Sequence, residues 1–145
     1  MQYFIPLDVI KINKPVTRSR FIYTDRHGHS ALPTDVGASK VPMGISYDTE
    51  MTSVLNQGWA KYYNTNYPRP VPLELASAVT VNTLIKASAD GRGIPVNMSL
   101  YEDVGYALAT ESGDVGDYIM VLPVYQHYYK LAHAFSTGFD YQQFN

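Results

Sequence analysis

The chain has 145 residues, no cysteine, a charged share of 17% and a net charge of −2. That length suits one ordinary domain, and the missing cysteine excludes disulfides, thiolate metal sites and cysteine nucleophiles. The near-neutral balance supplies no field for nucleic acid or anionic lipid, and no apolar run is long enough to cross a bilayer.

Met1 to Val16 carries Asp8, Lys11 and Lys14 and has no signal-peptide apolar core, so synthesis in a cytoplasm is expected. Up to residue 125, short apolar runs punctuated by Gly, Pro, Asn and Asp recur about every ten residues, a β rhythm. In chain order the predicted strands are Phe4 to Ile12, Arg20 to Tyr23, Val41 to Ile45, Trp59 to Tyr63 and Val71 to Leu75. Val79 to Val81, Leu84 to Ala87, Val104 to Ala109 and Tyr118 to Tyr125 follow. Asp48 to Gly58 reads as a loop or a short helix capped by Asp48. Pro68, Pro70 and Pro72 make Tyr62 to Pro72 an extended connection rather than a central strand. The continuous apolar run Tyr118 to Leu122 predicts a central strand buried on both faces. After Pro123, the spacing of Tyr125, Tyr128, Tyr129, Ala132 and Phe135 fits a helical stripe, whereas Gly138 and the polar end fit an arm.

The two halves of the chain repeat one another. Phe21-Ile22-Tyr23, a turn with Asp25 and Gly28, Pro33 and Met43-Gly44-Ile45-Ser46 answer to Leu84-Ile85-Lys86, Asp90-Gly91, Pro95 and Val104-Gly105-Tyr106-Ala107. The fold expected is mainly β: a compact β-barrel or β-sandwich of two related β-turn-β units. Residues 1–16 would be an N-terminal arm or edge strand, 17–124 the barrel or sandwich, and 125–145 an aromatic C-terminal extension.

Ala78 to Arg92, then Val104-Gly105-Tyr106-Ala107-Leu108 and Ser112-Gly113-Asp114 to Leu122, resemble a family of bacteriophage capsid decoration (cement) proteins. Thr17 to Tyr23 and Pro42 to Ser46 resemble that family's first unit, so the resemblance covers residues 17 to 122. Two positions depart from it: the family's Gly-Asp turn is Asn82-Thr83 here, and its Gly-Arg-Phe is Ser19-Arg20-Phe21. Asn is the residue after Gly most tolerant of a left-handed turn; Ser is less so. The resemblance implies a virion protein on the capsid exterior that stabilises contacts between major capsid subunits. Its partners would be the major capsid protein and neighbouring copies of itself.

No pattern argues for catalysis, a cofactor or a metal, and neither nucleic acid nor membrane is expected as a partner. Asp25, His27 and His29 could share one face as metal ligands, but Gly28 interrupts them and a polar turn accounts for them better. Glu111 to Asp117 lacks the spacing of a calcium loop and reads as a hairpin turn. Glu102 and Asp103, adjacent on an extended segment, point apart. The partner-binding candidates are therefore surface groups: Arg18 and Arg20, two apart on one strand face, Trp59 as core or interface anchor, and the aromatic tail Tyr125, Tyr128, Tyr129, Phe135, Phe139, Tyr141 and Phe144. The 13 tyrosines suit an interface and suit strands equally. The competing reading is a head fibre or a receptor- or glycan-binding module, with exposed Tyr and Trp stacking on sugars.

Overall fold

A computed structural model describes residues 7–12, 16–25, 28–32, 41–47, 51–52, 58–97 and 104–124. Among them there is no helix; twelve strands form two five-stranded antiparallel sheets and one two-stranded ribbon. The strands are β1 Asp8–Lys11, β2 Val16–Thr17, β3 Phe21–Thr24, β4 Ser30–Ala31, β5 Gly44–Ser46 and β6 Met51–Thr52. Then come β7 Trp59–Asn64, β8 Val71–Glu74, β9 Leu84–Ala87, β10 Gly93–Pro95, β11 Ala107–Ala109 and β12 Tyr118–Pro123.

The first sheet runs β4-β3-β5-β7-β1 and the second β10-β9-β11-β12-β8. Within each, the first strand of the unit pairs with its last, the last with the fourth, the fourth with the second, and the second with the third across a tight turn. The halves of the sequence are thus two copies of one β unit. Each sheet curls until its edges meet, through parallel bridges Lys11↔His29 in the first and Leu75↔Gly93 in the second. The ribbon β2–β6 corresponds to the single antiparallel bridge Val79↔Gly113.

A constant shift of 63 residues relates the copies from the first strand to the fourth. Val9 answers to Pro72, Ser19 to Asn82, Ile22 to Ile85, Gly28 to Gly91 and Gly44 to Ala107. Main-chain bonds repeat at the same shift: Asp25 N–H to His29 C=O and Ser88 N–H to Arg92 C=O close the two turns at 2.9 and 2.7 Å. Hydrogen-bond register corrects one sequence match. Gly44 answers to Ala107 rather than Gly105, because Met43 N–H meets Ile22 C=O where Tyr106 N–H meets Ile85 C=O.

Among the described residues, both left-handed non-glycine residues fall at one equivalent position, Ser19 with φ 55° and Asn82 with φ 68°. These are the two places where the chain departs from the decoration-protein pattern it resembles, and a glycine there would meet no steric penalty for the left-handed backbone.

Other expectations need correction. The strands β2, β4, β6 and β10 carry no period that marks them, and Met51–Thr52, expected within a loop or helix, is one of them. Val79 to Val81 contributes only a bridge. β12 is interior to its sheet, yet it alternates: Ile119 and Val121 are buried while Tyr118 and Met120 are exposed. Its outward residues happen to be apolar, which hid the period of two. Pro72 and Pro95 sit in β8 and β10, the two ends of the second ladder, where a missing N–H is tolerated.

The inner face of the second unit, with Leu73, Leu75, Ile85, Ile119 and Val121, joins Phe21, Tyr23, Ile45 and Tyr63 from the outer face of the first in one core. The first unit's own inner face, Ile10, Ile12, Val16, Ile22, Ala60 and Tyr62, forms a second cluster. Burial, with Tyr106 adding to it, holds the Tyr23 phenol well above its ordinary value. Burial and then Asp8 raise the Tyr62 phenol as well.

Gly28 and Gly91 share a left-handed turn (φ 80° and 88°), but a Cβ on Gly91 would lie 2.6 Å from the Phe21 carbonyl, whereas none on Gly28 meets anything within 4 Å. Gly28→Ala should therefore cost about 1 kcal/mol and Gly91→Ala about 3 kcal/mol in denaturant unfolding. Ser19→Gly, which removes both the strain and a buried hydroxyl with no hydrogen-bond partner, should raise stability by about 1 kcal/mol. The raised tyrosine values favour the neutral phenols in the folded state. That stability is complete below the unfolded value of 10.0 and is lost as pH rises beyond it, so tyrosinate absorbance and unfolding should appear together.

Candidate docking surface

The two units meet along a strap, Arg18-Ser19-Arg20, between β2 and β3. Its left-handed bend at Ser19 is fixed from within the first unit: Ser19 N–H donates to Ser46 C=O at 3.2 Å, and Ser46 N–H donates to Arg20 C=O at 2.8 Å. The fully buried Ser46 hydroxyl donates to Thr17 C=O at 2.6 Å and accepts from Arg20 N–H at 3.0 Å.

Toward the second unit, Ser19 C=O accepts from Glu74 N–H at 2.9 Å, and Phe21 N–H donates to Gly91 C=O at 2.8 Å. Arg20 donates through Nε and Nη2 to Glu74 Oε1 at 3.3 and 3.2 Å, and its Nη1 lies 3.9 Å from Asp90 Oδ2. Arg92 continues the chain of charges, 2.9 Å from Asp90 and 3.9 Å from Glu74. Burial raises the Asp90 carboxyl, but hydrogen bonds from Ser88 and from Arg92, with the Arg92 charge, outweigh it and leave it below the ordinary 3.8.

Arg18 and Arg20 do not share a strand face, because the bend at Ser19 sends them apart. Arg20 is drawn into the joint, while Arg18 stays exposed with its guanidinium 5.1 Å from the centre of the Tyr118 ring. Tyr118 in turn donates to Glu74 Oε1 at 3.4 Å. Arg18, Tyr118, Met120 and Glu74 therefore make one surface with an aromatic centre and a charged margin. Only the first of them was a candidate from sequence. Tyr118 and Met120 become visible once β12 is read with a period of two.

Trp59 is about half exposed on the outer face of β7. By register it faces Lys11, as Tyr118 faces Glu74, so it is the first unit's counterpart of Tyr118. The tail residues Tyr125, Tyr128, Tyr129, Phe135, Phe139, Tyr141 and Phe144, and also His27, Glu102 and Asp103, lie outside the described residues. Asp25 and His29 form a hairpin turn, with His29 N–H donating to Asp25 Oδ1 at 3.0 Å. In the other acidic turn, Asp114 N–H donates to Asp117 Oδ2 at 2.8 Å. No group of three metal-ligating side chains occurs among the described residues.

Arg20→Ala should cost about 2 kcal/mol, because it takes from the largely buried Glu74 carboxylate its closest cation and leaves it the Tyr118 hydroxyl and a longer contact to Arg92. Arg18→Ala should cost less than about 1 kcal/mol. The depressed Asp90 carboxyl contributes stability above the unfolded value and loses it as pH falls through the folded one. The stability gap between wild type and Asp90→Asn should therefore close on acidification below about pH 4, as read from unfolding curves.

No family model matches the chain, and no curated protein matches it in sequence. Among solved structures it is similar to the head fiber gp8.5 N base of bacteriophage phi29. The TM-score is 0.57 at 12% identity, over 81% of this chain and 92% of that one. The two share an all-β fold.

Proposed function

We propose that this chain is a virion structural protein of a tailed bacteriophage, without catalytic activity or cofactor, that binds the exterior of the head and stabilises contacts between major capsid subunits. The observation that carries this reading is the likeness to a head fiber base over nearly the whole of that chain. The ordered turn-and-strand resemblance to decoration proteins over residues 17 to 122 agrees with it. So does a surface of exposed aromatic groups beside cations, since aromatic residues and Arg are enriched where proteins meet.

The mechanism is mechanical. A protein that binds the assembled lattice and not the separated subunits raises the free energy of separation, and at a free concentration of 100 times Kd the gain is about 2.7 kcal/mol per site. Repetition over the lattice multiplies weak contacts into strong attachment. The name of the similar structure favours a second reading, the base of a head fibre; a receptor- or glycan-binding module would rest on the exposed Trp59 and Tyr118 alone. Copy number separates the two: a decoration protein approaches the count of capsid subunits, and a fibre base falls far below it.

Purified protein mixed with phage heads before and after expansion should co-sediment with at least one form and raise the temperature at which heads release DNA. Absence from both pellets would sink the proposal.

A further inference from the structure

We propose that the outer face of β1 and β7, built from Val9, Lys11, Trp59 and Lys61, docks an extended acidic segment of a partner polypeptide. Under the reading above that partner is a capsid subunit; the inference rests on that reading only for the partner's identity.

The four residues form two directly opposed cross-strand pairs, Lys11↔Trp59 and Val9↔Lys61. All four are exposed, Val9 at 55% and Trp59 at 51%. Ile10, Ala60 and Tyr62 alternate to the inner face, so the outward square is fixed by the barrel's own core. Asp8, the adjacent carboxylate, alternates away from it and accepts from Asn64 Nδ2 at 3.0 Å.

The second unit shows how such a square is recognised. Its counterpart is Glu74↔Tyr118 and Pro72↔Met120. A cationic strap, bent at Ser19, lies over it: Arg18 stacks on Tyr118, Arg20 pairs with Glu74, and Ser19 C=O accepts from the Glu74 amide. In the first unit the acid at this place becomes Lys11 and Met120 becomes Lys61, while the aromatic is kept as Trp59. The charge of the square is inverted, so the segment that fits it carries carboxylates for the two ammonium groups and an apolar side chain for the indole. Two lysines beside an indole also run against the molecule's net charge of −2, which favours an anionic partner at this patch.

Trp59 is the only tryptophan, so its emission reports occupancy directly. Titration with an alternating Glu-Val peptide should quench and blue-shift the emission. The response should weaken with salt and fall about tenfold in apparent affinity in the double variant Lys11→Glu/Lys61→Glu, whose far-UV spectrum shows it folded. The inference is overturned if the peptide leaves the emission unchanged. It is overturned also if an equally charged DNA oligonucleotide acts as well, which would mean a site for anions in general, or if emission shifts with protein concentration alone, which would mean a second copy covers the face. On phage heads, equal binding by wild type and the double variant overturns this inference and leaves the head-binding proposal standing. No binding by either overturns the head-binding proposal, and the peptide titration decides the inference alone.

Discussion

The contact on which the rest of the structure depends is the strap at residues 18–20, where the first unit grips the second. A left-handed residue there is costly for any side chain but glycine's hydrogen, and Ser19 is held in it by Ser46 from behind and by the Glu74 amide in front. The bend does two things at once. It turns Phe21 into the shared core, where it is almost wholly buried, and it points Arg20 at Glu74, whose largely buried carboxylate would otherwise keep only the Tyr118 hydroxyl and a longer contact to Arg92. Hydrophobic burial and charge pairing thus share one geometric condition.

The two units share one plan and differ in what fills it. The second unit packs its interior with Leu73, Leu75, Ile85, Ile119 and Val121, all essentially inaccessible. At the matching places the first unit has Ile10, Ile12, Ile22, Ala60 and Tyr62, and Gly44 and Ser46 stand where Ala107 and Ala109 stand in the second. Phe21, Tyr23, Ile45 and Tyr63 of the first unit turn outward and complete the common core.

Much of this was legible in sequence. β9 was read to the residue, and β7, β8 and β12 within a few, because each alternates or is bounded by Gly, Pro or Asp. The repeat was visible in the turn residues and in register at Phe21-Ile22-Tyr23 and Leu84-Ile85-Lys86, but not at Gly44, where two glycines attracted a match that hydrogen bonds place two residues away. The two-residue strands β2, β4 and β6 have no period to read; their partners across the sheet decide them. The docking surface was legible only as isolated charges and one tryptophan. Arg20 and Glu74 lie 54 residues apart, and nothing local to either announces the other. Tyr118 was masked because both faces of its strand are apolar, one for the core and one for the surface.

Each barrel also limits how anything else can bind. A free sheet edge offers rows of unpaired N–H and C=O groups to any passing strand. Here the ladder ends meet through Lys11↔His29 and Leu75↔Gly93, and prolines occupy β8 and β10. With main-chain pairing restricted at the edges, recognition falls to side chains standing on the outer faces. On such a face specificity comes from which residue stands opposite the exposed aromatic. At this place the copies differ by a reversal of charge, Lys11 against Glu74. The same square is thus a joint within the molecule in the second unit, where the strap's arginines reach it, and in the first a surface of opposite sign.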